Sequence, residues 1–204
     1  MKRVKLVVAY DGTNYCGWQV QKNGETIESV LNRAIGELTG EEIHVMGSSR
    51  TDAGVHACGN VAVFDTEARM AADKFSYALN QRLPEDIRIQ DSCEVPADFH
   101  PRFQKTVKTY EYRILNREFP LPAYRFNSHF TYRKLDVERM RQAAAYLIGE
   151  HDFQSFCAAG AQVKTTVRTI YALDVEKQGD LIILRITGNG FLYNMVRIIA
   201  GTLM

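Results

Sequence analysis

The residues best suited to chemistry stand in one stretch, Gly47-Ser48-Ser49-Arg50-Thr51-Asp52-Ala53-Gly54-Val55-His56-Ala57, in which small side chains flank a single arginine and a single aspartate. Small residues let a substrate backbone come close. Asp52 precedes Ala53-Gly54, so its carboxylate is expected on a tight turn at a strand end, where a sheet holds a loop rigidly and functional groups collect. Arg50 can pair with Asp52 or reach a phosphate. An Asp-Ala-Gly turn serves structure more often than catalysis, and the stretch alone leaves both uses open. His44, His56 and Cys58 share no recognised ligand spacing, so no metal is expected.

A second feature is electrostatic. Arg102, Lys105, Lys108, Arg113 and Arg117 fall in a segment with one acid, Glu111, a local charge of +4 in a chain of net charge +1. With so small a global field, any nucleic-acid binding must come from a local basic face. A solvated strand surface is the plainer use of such a segment. The chain has 204 residues, 46% hydrophobic and 24% charged, which suits one large or two small globular domains and excludes disorder. No apolar run approaches the ~18 residues of a membrane span, and the basic start Met1-Lys2-Arg3 leads into too short an apolar run for a signal peptide. A cytoplasmic location is expected. Cys16, Cys58, Cys93 and Cys157 include no C-x-x-C and read as reduced thiols.

The elements that must position these residues follow from periodicity. Val4, Leu6 and Val8 alternate in a strand over residues 3–10, ended by Asp11-Gly12-Thr13-Asn14. Ile27, Val30, Leu31, Ala34, Ile35 and Leu38 make one face of a helix that Gly40 stops. Strands over 43–46 and 60–64, a helix over 71–79 and a strand over 87–95 complete a β-α-β-β-α-β order, the ferredoxin-like pattern with two helices on one face of an antiparallel sheet. The second half opens with a strand over 106–115 and a helix over 136–149, striped by Val137, Met140, Ala144, Leu147 and Ile148. Strands over 167–176 and 181–187 meet at Gln178-Gly179-Asp180, a hairpin turn. Residues 191–204 are apolar with helical spacing and carry one charge, Arg197. The expected fold is therefore α+β: two ferredoxin-like halves, residues 1–100 with the Asp52 loop and residues 101–204, the second lacking its closing strand.

These residues also carry a resemblance. Arg50-Thr51-Asp52-Ala53-Gly54-Val55-His56-Ala57 resembles the signature of the tRNA pseudouridine synthase A family, and further segments match it in order. Tyr10-Asp11-Gly12 with Tyr15-Cys16-Gly17-Trp18-Gln19-Val20-Gln21 resembles its YDG...YxGWQxQ opening. Phe99-His100-Pro101-Arg102-Phe103 with Lys108-Thr109-Tyr110-Glu111-Tyr112-Arg113 resembles FHARF...YxY. His151-Asp152-Phe153-Gln154-Ser155-Phe156 resembles HDFxSF, and Phe191 to Arg197 followed by Gly201-Thr202-Leu203 resembles FxxxMVR...GTL.

The resemblance implies an enzyme that isomerises uridine to pseudouridine at positions 38, 39 and 40 of the tRNA anticodon stem-loop, without a cofactor or metal, as a homodimer that binds tRNA across both subunits. It makes Asp52 the catalytic carboxylate, acting as nucleophile at C1′ or as base at C2′. Arg197 becomes its cationic partner, which would explain a lone charge on a helix expected to be buried. Tyr110 stacks on the uracil and helps remove the C5 proton. Tyr112 shares its side of the strand by alternation. Arg50 extrudes the target nucleotide, and the segment from Arg102, with Lys105, Lys108 and Arg113, becomes a phosphate track that Lys164 and Arg168 extend. Two departures are mild: Ser49 stands where many members have Gly, and Pro101 replaces an Ala. A third is larger, since family members continue through further helices to a closing strand. The rival readings are a non-catalytic RNA-binding module of the same fold and a small-molecule or metal-binding ferredoxin-like domain.

Overall fold

The computed structural model describes residues 1–161 and 163–204. The chain divides into two compact units, Met1–Gln104 and Lys105–Met204, each with its own core.

In the first unit the order is β1 (Lys2–Tyr10), α1 (Ile27–Thr39), β2 (Met46–Gly47), β3 (Ala57–Thr66), α2 (Phe75–Asn80) and β4 (Ile87–Val95). All pairings are antiparallel and the strand order is β2-β3-β1-β4, the arrangement the sequence pattern calls for. Alternation on β1 buries Val4, Leu6, Val8 and Tyr10 against α1 and α2, whose Ile27, Leu31, Ile35, Phe75 and Leu79 face the same core. Thr26 caps α1 through a reciprocal box with Ser29, and Gly40 closes it in the left-handed conformation, φ 75°. The strand expected at 43–46 is displaced to Met46–Gly47. Ile43 and Val45 are buried, but the Val45 N–H donates to the Asn32 side chain on α1 at 2.8 Å instead of to a neighbouring strand.

In the second unit the elements are β5 (Lys108–Asn116), β6 (His129–Thr131), α3 (Val137–Ala145), β7 (Gly149–Asp152), β8 (Val167–Gln178), β9 (Leu181–Gly188) and α4 (Met195–Leu203). The sheet order is β6-β5-β9-β8-β7. Strands β5, β9 and β8 reproduce the core of the expected half, and α3 and α4 cover one face. Neither β6 nor β7 was expected, and β6 runs parallel to β5 over Ile114–Asn116, so this sheet is mixed rather than antiparallel. The helix expected to reach 149 ends at Ala145. The N–H groups of Tyr146, Leu147 and Ile148 turn to the carbonyls three residues back, and Gly149, at φ 111°, leaves the helical region to begin β7. The last helix starts at Met195 rather than 191, because Asn194 adopts the left-handed conformation at φ 57°. Among the described residues no helix is long and apolar enough to cross a membrane.

One ion pair ties the first unit's ends together. Arg3 grips Asp65 with two bonds, Nε to Oδ1 at 2.8 Å and Nη2 to Oδ2 at 2.7 Å, while its Nη1 donates to the Phe99 carbonyl at 3.0 Å. The Arg3 hydrogen bond holds the Asp65 carboxyl below the ordinary carboxylate range. With the folded value below the unfolded one, this contribution is complete above the unfolded pKa and is lost as pH falls through the folded value. Asp65→Asn is expected to destabilise the protein by about 1–2 kcal/mol at pH 7. In denaturant titrations that gap narrows below about pH 4; a gap unchanged at pH 2 would count against it.

Candidate active site

Asp52 sits where the sequence placed it, on a turn between β2 and β3. The Val55 N–H closes that turn on the Asp52 carbonyl at 3.2 Å, and Gly54, at φ 73°, supplies the positive angle required at its third position. The Asp52 side chain is half-buried, and Arg50 is exposed.

The YCGWQ segment cradles this loop. The Trp18 N–H donates to the Thr51 carbonyl at 3.0 Å, and the Gly54 N–H to the Tyr15 carbonyl at 3.3 Å. Trp18 is fully buried against Tyr10 and directly beneath Gly47. The Tyr10 hydroxyl meets the Thr51 hydroxyl at 2.7 Å. On the other flank the buried Asn60 side chain accepts from the Ser49 N–H at 3.1 Å and donates to its carbonyl at 3.0 Å. At the loop's end His56 Nδ1 lies 2.9 Å from the Asp11 carboxylate and 3.2 Å from the Gly12 N–H. Asp11 is held below the usual carboxylate range, first by the Thr13 hydroxyl and also by the Thr13 N–H and His56. Residues before and after Asp52 are thus fixed by buried or half-buried groups, which makes the loop a rigid mount for one carboxylate. Tyr10, Trp18, His56 and Asn60 were not assigned these roles from sequence. The only signal for three of them was their place in the matching motifs; Asn60 had none.

Arg102 belongs to this unit too. Its Nε donates to the Gly47 carbonyl at 2.9 Å, and its guanidinium is pushed to lower pKa by partial desolvation and by the positive charge of Arg50 nearby, against the pull of Glu28.

The other expected site residues belong to the second unit. Tyr110 and Tyr112 share the helix-covered face of β5, as alternation requires, and Tyr110 meets Phe191 edge-on at 5.1 Å between centroids. Arg197 lies on the first turn of α4, on its exposed side. The expectation of a buried arginine is therefore corrected: α4 buries Met195, Ile199, Ala200 and Leu203, and Arg197 is exposed.

The basic residues expected to form a phosphate track do not all share one face. Lys108 and Arg113 stand on opposite faces of β5. Arg113 Nε binds Glu111 at 2.7 Å, and Arg185 binds the same carboxylate at 3.2 Å, which holds Glu111 below the usual range. Arg117 pairs with Asp180 at 3.1 Å, at the hairpin end of the sheet. Lys108, opposite Gly188, falls at the other end, as does Arg168, near Ile170 in the same register line. Arg168 Nη1 rests on the carbonyls of Thr165 and Val167, at 2.9 and 2.6 Å. Lys105 and Lys164 are exposed. Among the described residues no three His, Cys, Asp or Glu side chains gather in a way that could hold a metal ion.

Fold and loop together define a class: an α+β protein of two units, the first with the ferredoxin-like strand order β2-β3-β1-β4 and one aspartate on a rigid turn at a strand end, the second built on a mixed sheet. The sequence model of a family described as tRNA pseudouridine synthase matches residues 6–104 and 143–204. Proteins named tRNA pseudouridine synthase A are 50% identical in Acetivibrio thermocellus and 48% in Citrifermentans bemidjiense, each across all of this chain and 84% and 82% of their own lengths. One named tRNA pseudouridine synthase A 2, from Clostridium tetani, is 50% identical over 83% of its length. The chain belongs to the tRNA pseudouridine synthase family, a family of isomerases.

Proposed function

We propose that this chain converts uridine to pseudouridine in tRNA, at positions 38, 39 and 40 of the anticodon stem-loop, with Asp52 as the essential catalytic group. The observation that carries the reading is the mounting of Asp52: one half-buried carboxylate on a turn pinned from both sides, in a member of a synthase family. The reaction breaks the N1–C1′ bond, turns the uracil while it is held, and forms a C5–C1′ bond as the C5 proton leaves and N1 takes up a proton. The Asp52 carboxylate either displaces the uracil at C1′ and is itself displaced when C5 bonds to C1′, or takes the C2′ proton as the N1–C1′ bond breaks and returns it once C5 has bonded.

Charge at the sugar makes an ionised Asp52 the useful form. Arg197 serves as its cationic partner in this reading, supported by its match to the MVR motif. Tyr110 holds the detached base by stacking, worth about 1–3 kcal/mol per base in comparable contacts, and its hydroxyl assists loss of the C5 proton. Arg50 displaces the target nucleotide from its stack. Arg102 in the first unit, and Lys105, Lys108, Lys164 and Arg168 in the second, contact phosphates; Arg113 does so only in competition with Glu111. The active form is a cytoplasmic homodimer.

The test is tritium release from C5-tritiated uridine in a tRNA with uridine at all three positions, followed by mapping of the modified sites. Release with pseudouridine at 38, 39 and 40 is the expected result. Bound tRNA without release would favour the non-catalytic RNA-binding module, and modification elsewhere would overturn the positional assignment.

A further inference from the structure

Next to the Asp52 loop, the first unit carries an aromatic stack that the reading above does not use. The rings of His100 and Phe103 lie 4.1 Å apart, centroid to centroid, with only 20° between their planes. Phe103 is 82% exposed, so one ring face is covered by the imidazole and the other is open to solvent. The turn that holds the stack is well fixed. The Phe103 N–H donates to the His100 carbonyl at 3.1 Å, and the Arg102 N–H to His100 Nδ1 at 3.2 Å. Pro101 between them is buried, and the preceding Phe99 carbonyl is held by Arg3.

An exposed phenylalanine stacked on a fixed imidazole exposes a flat apolar face of about one ring, which is the size of a nucleobase and much smaller than a protein interface. The charge beside it points the same way. Arg102, within the stack's own turn, is anchored on the Gly47 carbonyl, and the positive charge of Arg50 on the neighbouring loop pushes its guanidinium to lower pKa. Two arginines whose charges act on each other favour an anion between them, and a phosphate is such an anion. Aromatic platforms beside basic side chains are how unpaired nucleic acid is held with little regard to sequence.

We propose that Phe103, stacked on His100, is a platform for an unpaired nucleobase of the RNA substrate, with the phosphate next to that base held by Arg102 and Arg50. The proposal rests on tRNA being the substrate.

The test compares Phe103→Leu and Phe103→Trp with the wild type. Leucine keeps the apolar bulk and loses the π-face, so the Kd for tRNA is expected to rise about 5- to 100-fold, with the same penalty on a short single-stranded RNA and none on a fully paired duplex. Tryptophan restores affinity, and its fluorescence is quenched on binding; the native Trp18 is fully buried and gives a constant background. Unchanged tRNA affinity in Phe103→Leu, or an equal loss on duplex RNA, overturns the platform while leaving the synthase reading intact. A change in oligomeric state with RNA affinity unchanged would overturn it in favour of a contact between copies of the chain. Wild-type protein that neither binds nor modifies tRNA would remove the underlying reading.

Discussion

Asp52→Asn is expected to lower tritium release from C5-tritiated uridine by about a thousandfold or more, the scale seen when a nucleophile or its base is removed. The amide is nearly isosteric. The turn it sits on is closed by backbone atoms, Asp52 carbonyl to Val55 N–H, and flanked by Trp18 on Thr51 and Asn60 on Ser49, none of which the change removes. The tRNA Kd should therefore stay within a few fold and the near-ultraviolet circular dichroism should be unchanged. The loss then lies in the chemical step, as expected for a group that acts on C1′ or C2′ and not for one that anchors phosphate. Retention of more than a tenth of wild-type release would remove Asp52 from the chemistry.

Gly17→Ala should be strongly damaging although the residue touches no substrate. Gly17 adopts φ 86°, where a Cβ costs about 1–2 kcal/mol. That atom would also lie 2.6 Å from the Thr51 carbonyl oxygen and 3.1 Å from the Asp52 carbonyl carbon. Both are backbone and cannot rotate away, so the loop itself must move. A displacement near 1 Å in a reacting geometry costs about a hundredfold in rate. We expect kcat to fall by that factor with KM little changed, together with a lower Tm. Gly40→Ala is the control: Gly40 has φ 75° with nothing within 4 Å of the added carbon, so it carries the conformational cost alone and kcat should not change. If Gly17→Ala lost only as much stability as Gly40→Ala and kept full kcat, the cradle would not position Asp52.

Local signals were legible in the sequence. The alternation of Val4, Leu6 and Val8 and the stripe from Ile27 to Leu38 each encode an element, because one face of each must be buried. The Asp-Ala-Gly turn was legible too, since Gly54 supplies a dihedral few other residues tolerate. What escaped depends on distant partners. The three residues of β6 extend only because β5 offers them an edge, and no periodicity fits in three residues. Residues 191–204 are mostly apolar, so composition alone did not reveal that Arg197 is exposed or that Asn194 breaks the segment. At the site, Tyr10 reaches Thr51 across 41 positions of sequence, and His56 reaches Asp11 from the far end of its loop. Charge counting put Arg113 in one track with Lys108, and could not show that β5 sets the two on opposite faces or that Glu111 pairs with Arg113.

The strand order of the first unit has a consequence for how the chain is made. Strand β1 leaves the ribosome first, yet it lies between β3 and β4, and β4 begins only at Ile87. At synthesis rates of about 5–20 residues per second the earliest strand waits on the order of ten seconds for its last neighbour. Throughout that time Val4, Leu6 and Val8 form an unprotected β-prone segment that other nascent chains could join. Lys2 and Arg3 just before them and Lys5 between Val4 and Leu6 place positive charge on that segment and act as gatekeepers against association. The same strand that later supports Tyr10 beneath the Asp52 loop thus carries its own protection during synthesis.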